Sequence, residues 1–492
     1  MGFAIGVDVG SQSVKGVLLD DGGRVCAEAG SPVSIVHPAP AWAEQDPRSW
    51  ETGLAAVVGA LLSDAHVKPD QVSALALACQ VDSVVPVDAA GDPLGAAIIW
   101  LDRRAEVQAA ELRDRVGAER LHQITGLVAD PSHTGPKIAW LRSERPEVFA
   151  AAAAFPPTAG YLVQRLTGEL VIDHANASSS LLYDLGRRAW SAELLAAVGV
   201  SAEQLGRIGE SDEVAGALTA DAARRLGLTT ACQVVVGTGD DHAGAVGAGV
   251  VRPGLVADIT GTAEPVSTCS PLPVLDVEAL VETHAHAVPG QYLIENPGFV
   301  SGGSIMWLAR EVLQLTQAEA LALAETEPAG AGGVRFVPAL SGSMAPRWNG
   351  AMRGVFAGLS MTTSRAALAR AVVEGCCFAL RDITDRFATL GLDTTEIRVV
   401  GGGARSREWL QIKADVTGRP VRAVQTTEAT ALGAGLLATV ACGTFTDLDE
   451  AVKTCVVTAD EPIRPRAVNE DVYAEAYASY RRLFDGVEGA LG

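Results

Sequence analysis

VVVGTGDDHAGAVGAGV, residues Val234–Val250, is the stretch from which the fold is read. A β-branched apolar run meets Gly237-Thr238-Gly239, then the carboxylates of Asp240 and Asp241, then a segment of alanine and glycine. That order predicts a buried strand, a tight turn and the start of a helix. Asp240 therefore stands at the carboxyl tip of a strand, the end at which open α/β sheets expose their chemistry. The glycines beside it let a ligand approach the backbone closely. The stretch is near mid-chain, so a cleft between two halves can close over it.

Working outward, a strand, glycine turn and strand opens each half. In Ala4–Leu19, AIGVDVGSQSVKGVLL, Asp8 ends the first strand and Gly10, Ser11 and Gln12 make the turn, with Lys15 beyond. Successive amides and a hydroxyl on such a turn can cradle a phosphate, and a carboxylate there can hold Mg²⁺ through water. Alone, a plain hairpin turn explains it equally well. Gly254–Val266, GLVADITGTAEPV, repeats the arrangement. The recurrence implies a duplicated fold with nucleotide between the halves.

Between the hairpins, Ala74–Ala78 is a predicted strand running into Cys79-Gln80-Val81-Asp82-Ser83. Period-two alternation puts Gln80 and Asp82 on one face, where an amide and a carboxylate can bond sugar hydroxyls; a polar strand end facing solvent is the alternative. Ile98–Arg104 reads as another strand with Asp102 at its polar end, Ala150–Ala154 as helix surface, and Tyr473–Phe484 as an amphipathic helix. Ala429–Phe445 is too short for a membrane span and reads as a buried helix. Thr283-His284-Ala285-His286 places two imidazoles on one face of a strand, a spacing that can bind zinc; with no further ligands close in sequence, hydrogen-bonded histidines are the favoured reading.

Size suits two or three domains, since 492 residues exceed one core. The net charge of −21 argues against nucleic acid or an acidic membrane as partner. A phosphorylated substrate must then be held locally, by backbone amides and metal. The eight cysteines form no CxxC pair and read as structural thiols of a reducing compartment. Met1–Gly6 carries no secretion or myristoylation signal, and a cytoplasmic protein is expected.

With these blocks in view, the chain resembles the FGGY carbohydrate kinases, within the sugar kinase, Hsp70 and actin superfamily. GVDVGSQSVK (6–15), AWAEQDPRSW (41–50), SHTGPKIAWLRSE (132–144), GTGDDHAGAVG (237–247), GVFAGLSMTTSRAALARAVVEG (354–375) and GGGARSREWLQIKADVTGRPV (401–421) follow the family's blocks in order. The resemblance implies an α/β fold of two duplicated ribonuclease H-like domains around a central cleft. The expected division is 1–246, binding sugar and carrying the catalytic Asp, and 247–492, binding nucleotide. It implies ATP and Mg²⁺ as cofactors and leaves a homodimer open.

Residue by residue, the resemblance makes Asp240 the base that takes the sugar hydroxyl proton. Asp8, with Asp240, is the metal carboxylate. Gly10, Ser11, Gln12 and Lys15, with Gly261 and Thr262, are the phosphate loops. Gly302 and Gly303 lie near the phosphates, and Gly401, Gly402, Gly403 and Ala404 turn against adenosine. Gln80, Val81, Asp82, Asp102, Asp240 and Asp241 face the sugar, and Asp241 is also the rival to Asp240 as base.

Within the family the overall likeness is to the bacterial xylulose kinases, which implies a ketopentose, D-xylulose, phosphorylated on a terminal hydroxyl. Those relatives carry Gln-Met-His-Gly where this chain has Gln80-Val81-Asp82-Ser83. A carboxylate that only accepts, in place of an imidazole that can donate, changes the favoured hydroxyl pattern. Another ketose or a polyol (ribulose, L-xylulose, erythritol or glycerol type) is therefore the alternative. A nucleotide-gated binding protein of the actin or Hsp70 type is a further one.

Overall fold

The computed structural model describes residues 2–491. One sheet is built from β1 (Phe3–Val9), β2 (Ser13–Leu19), β3 (Val25–Pro32), β4 (Val72–Cys79), β5 (Val214–Ala217), β6 (Gln233–Val235) and β7 (Thr238–Gly239), in the order β5-β6-β4-β1-β2-β3, with β7 also on β4. The other holds β8 (Gly254–Thr260), β9 (Ala263–Ser270), β10 (Glu282–Ala285), β11 (Tyr292–Val300), β12 (Thr394–Gly401) and β13 (Val421–Ala423), in the order β10-β11-β9-β8-β12-β13. In each, an antiparallel hairpin is joined along its first strand by two further strands running parallel to it. The duplication expected from the two glycine turns is thus present in the topology, and the mixed α/β class is as read.

The helices that position the site are α1 (Pro47–Asp64), α2 (Thr134–Glu144), α3 (His174–Ser179), α4 (Asp240–Gly247), α5 (Gly302–Trp307), α6 (Arg365–Thr389), α7 (Arg407–Thr417), α8 (Ala429–Ala441) and α9 (Glu470–Leu491). α1 shows how the sequence sets them. Asp46 caps it by accepting from Arg48 N at 3.0 Å, Pro47 begins it, and Trp50, Leu54, Val57, Val58 and Leu61 form the stripe buried against the first sheet.

α8 belongs to the second half in sequence but packs against the first sheet, where Leu432, Leu436 and Leu437 join Ala4, Val17 and Ala76 in one apolar cluster. Each such leucine contributes about 1.5–3 kcal/mol on burial. Its backbone comes unusually close. A Cβ on Gly6 would lie 2.1 Å from Ala431 O, and one on Gly433 would lie 1.9 Å from Ala243 O of α4. The weakly polar tract is the buried helix expected, and its glycines let it touch both β1 and α4.

Three local readings need correcting. A short strand, β7, separates the Gly237 turn from α4, because Thr238 and Gly239 return to pair with Ala78 and Cys79 of β4. The strand expected over Ile98–Arg104 is only Ala97–Ile98, since Asp102 folds back onto its own Arg104. Ala150–Ala154 is not helix surface throughout. The helix stops at Ala151, and Ala154 is buried and bridged to Val87.

Candidate active site

Asp8 and Asp240 reach one place from different elements. Asp8 projects from the central strand β1, and Asp240 opens α4 just past β7, so both lie at the carboxyl ends of strands beside β4. Desolvation, then Asp241, then Asp8, push the Asp240 carboxyl well above the usual carboxylate range. Desolvation pushes Asp8 up to about 7, with Lys15 opposing and Glu428 and Asp241 adding to the rise. Asp8 Oδ1 is buried with no hydrogen-bond partner among the described residues. An orphaned carboxylate oxygen amid other acids suits an oxygen-ligating cation such as Mg²⁺. When bound, Mg²⁺ would be held by Asp8 and Asp240 and would neutralise nucleotide phosphate charge.

The second hairpin treats its equivalent acid differently. Asp258 of β8 accepts from the ammonium of Lys413 on α7, which also donates to Thr260 Oγ1 at 2.8 Å and Glu264 Oε1 at 2.9 Å. All four residues are buried. The group locks the second hairpin, whereas Asp8 in the first is left available.

The turns assigned to nucleotide converge on that locked hairpin. Gly303 N donates to Thr262 O at 3.0 Å. A Cβ on Gly302 would lie 2.3 Å from Gly261 O. Gly401 pairs with Thr260 at φ +81°, and its Cβ would lie 2.6 Å from Thr260 O, so only glycine fits. Gly402, Gly403 and Ala404 continue as a single 3₁₀ turn into α7. In the first hairpin Gly10 N closes the turn on Ser13 O, Gln45 Nε2 holds Ser11 O at 2.8 Å, and Gln12 is exposed. The Ser11 and Gln12 amides donate to nothing among the described residues. Lys15 pairs with Glu428 at 2.9 Å, tying this hairpin to the loop before α8.

The sugar-side expectations divide. β4 ends at Cys79, so the alternation argument does not reach Gln80 and Asp82. Gln80 is buried and donates to Gln45 Oε1 at 2.7 Å, leaving its own Oε1 without a partner. Val81 packs beside Gly239, next to Asp240. Asp82 sits at φ +57°, and its Oδ2 lies 3.1 Å from His133 Nδ1. Burial opposes a charged His133, but Asp82, with Glu282 and Asp130, outweighs it and holds the ring up at about 9. Lys137, buried in α2 and pulled down to about 7 by desolvation, donates to the carbonyls of Asp82 and Ser132. Asp241 is pushed up to about 6 by desolvation, with His284 opposing and Asp82 adding.

Asp102 lies close enough to act on Lys137 but is otherwise engaged. Its oxygens accept from Ala43 N and from Arg104 N, Nε and Nη2, which fills its lone pairs. It positions Arg104, stacked 3.7 Å from the Trp42 ring, instead of offering an oxygen to a ligand.

Sequence reasoning missed Gln45, His133, Lys137 and Lys413. Lys413 left a signal: it shares a helical stripe with Trp409 and Val416, and a lysine on an apolar stripe must find acids.

Residues 3–247 match the FGGY family of carbohydrate kinases, N-terminal domain, and residues 256–442 match its C-terminal domain. The chain is 32% identical to the xylulose kinase of Escherichia coli (strain K12), over 98% of both chains. It is 34% identical to the glycerol kinase of Gloeobacter violaceus, over 92% of this chain and 90% of that one. Its structure superposes on ligand-bound xylulose kinase from Lactobacillus acidophilus with a TM-score of 0.94 at 26% identity, covering 100% and 99% of the two chains. No helix among the described residues is long and apolar enough to cross a membrane. With both halves matched and the site's carboxylates and glycine turns in register with the fold, the chain belongs to the FGGY family of carbohydrate kinases, ATP-dependent sugar phosphotransferases that work with Mg²⁺.

Proposed function

We propose that the chain phosphorylates a terminal hydroxyl of a ketopentose, with D-xylulose the first choice and Asp240 the base. The observation that carries this is the pairing of Asp240 with Asp8 at the carboxyl ends of the first sheet, with Gln80, Val81 and Asp82 close by. Desolvation and two neighbouring acids raise the proton affinity of Asp240, which is what a group that must take a hydroxyl proton needs. Phosphoryl transfer asks for positioning and charge neutralisation more than covalent help. Here the first hairpin offers the open amides of Ser11 and Gln12, and the second supplies the Gly261, Gly302 and Gly401 turns. In this reading residues 1–246 bind sugar and 247–492 bind nucleotide, and the enzyme works in the cytoplasm, where ATP is.

A second reading, another ketose or a polyol, is favoured by Asp82. Paired with protonated His133, Asp82 still accepts through Oδ1, which is buried and has no partner among the described residues. It therefore selects a hydroxyl that donates. ADP release measured across ketoses and polyols, with wild type, Asp240→Asn and Asp241→Asn, tests both. Turnover highest on D-xylulose and lost by orders of magnitude only in Asp240→Asn supports the first reading. Highest turnover on a polyol supports the second. Loss in Asp241→Asn alone reverses the base assignment.

A further inference from the structure

Beyond Asp241 a second polar group is closed off from solvent. His242, in the first turn of α4, is 1% exposed; His284 and Glu282 of β10 are 4% and 5% exposed, and Glu295 of β11 is 4%. Glu282 and His284 project from one face of their strand, and Glu295 stands opposite Glu282 in the antiparallel pair. α4 brings the His242 ring edge-on to that of His284, with centroids 5.7 Å apart. One ligand atom each from His242, His284 and Glu295 lie within 4.8 Å of one another. His284 Nε2 is 3.3 Å from Glu295 Oε1 and 3.8 Å from Glu282 Oε2.

Hydrogen bonding does not account for this cluster. His242 Nδ1, His284 Nδ1, Glu295 Oε2 and Glu282 Oε1 are all buried with no partner among the described residues. A buried polar atom that nothing binds keeps the full cost of leaving water. His286, two residues along the chain, is the contrast. Its Nε2 meets Val250 O at 3.1 Å, and its Nδ1 accepts from Ala287 N at 2.8 Å. The hydrogen-bonded reading thus holds for His286, which lies just past β10, while His284 meets the Glu295 carboxylate through Nε2 and leaves Nδ1 without a partner among the described residues.

We propose that His242, His284 and Glu295, completed by Glu282, bind a zinc-type divalent cation between α4 and the β10–β11 pair. Two imidazoles with carboxylate are a tetrahedral zinc donor set, and ligands bonded at ~2.1 Å in a tetrahedron stand about 3.4 Å apart. The His284–Glu295 spacing is close to that. Mg²⁺ prefers oxygen ligands and retains water, so imidazoles suit it poorly. The cation pins α4 of the first half to β10 and β11 of the second. Its ligands are not those of the Asp8 and Asp240 pair, although His242 stands two residues from Asp240 in the same turn of α4.

The test uses the full chain, stripped with a chelator and then titrated with Zn²⁺ against a colorimetric indicator, with metal content read by plasma mass spectrometry and thermal unfolding followed in parallel. Wild type should bind one Zn²⁺ per chain and melt higher with it, and excess Mg²⁺ should not displace it. Glu295→Gln, which keeps the side-chain size, and His284→Ala should each lose at least about 10-fold in affinity. His37→Ala, an exposed histidine elsewhere, should bind as wild type does. Circular dichroism identifies any variant that fails to fold, and Glu295→Gln then carries the comparison. No Zn²⁺ uptake by stripped wild type, or equal uptake by Glu295→Gln, overturns the proposal.

Discussion

Replacing Lys413 by Met leaves Asp258 and Glu264 facing one another beneath the second hairpin with no cation between them. Removing one partner of a buried ion pair costs about 3–5 kcal/mol, because the charge left behind is neither solvated nor paired. Protonation relieves part of that cost, so the cost depends on pH. Burial, with Asp258 adding and Lys413 opposing, already raises Glu264 from its ordinary 4.5 to about 7. A raised acid binds more protons folded than unfolded. Its stabilising proton is therefore fully present below pH 4.5 and is lost as pH rises through 7. Without Lys413 the folded protein keeps that proton to higher pH, and its stability falls more steeply, by ~1.4 kcal/mol per pH unit for each extra proton. Since wild-type Glu264 keeps its proton up to about pH 7, the extra proton counts over only about one pH unit, and the penalty of Lys413→Met should be about 1.4 kcal/mol larger at pH 8 than at pH 5.5. Hydrogen exchange of peptides covering 254–270 reads this locally, which a two-domain protein requires. Because Lys413 also fixes Thr260, KM for ATP should rise while KM for the sugar holds. A penalty under about 1 kcal/mol at pH 8, or one equal at both pH values, refutes the reasoning.

His133, held up at about 9 by Asp82 against its burial, gives a second pH test. Its charge contributes fully below its ordinary 6.5 and is lost as pH passes 9, so wild-type sugar KM should climb across that window, while Asp82→Asn should start weak and stay flat. Gly6→Ala puts a methyl 2.1 Å from Ala431 O and should cost ~3 kcal/mol or more in thermal unfolding, since backbone must shift to admit it. Gly59→Ala, where a Cβ meets nothing within 4 Å, should instead stabilise by roughly 0.5–1 kcal/mol.

Local patterns carried most of the architecture. Glycine between apolar runs specifies both hairpins, and the α1 and α9 stripes fall where helical spacing puts them: Tyr473, Tyr480 and Phe484 are buried. The placement of Asp8 and Asp240 at the carboxyl ends of strands was legible, because Asp8 comes one residue before the end of its strand and Asp240 one residue past its own, each close to glycine. What sequence could not show was assembled from distant segments. His133 meets Asp82 across a left-handed residue that ends the alternation, and Lys413 finds Asp258 from a helix far along the chain. His284 looked solitary because its companions, His242 and Glu295, come from another helix and the neighbouring strand. Asp102 misled for the opposite reason: its partner Arg104 was adjacent in sequence and consumed its oxygens.

The crossing of α8 over α4 and β1 has a mechanical meaning. Gly433 rests on Ala243, Gly247 on Ala429, and Gly6 on Gly435, main chain against main chain, with the leucines of α8 packed alongside. Seated this closely, the three elements leave no slack for a side chain between their backbones, so the crossing is stiff. Asp8 lies two residues from Gly6 and Asp240 three from Ala243, so both acids branch from backbone clamped at that crossing. The spacing of the two carboxylates is therefore set by main chain, which leaves it insensitive to the rotamers of the side chains around it.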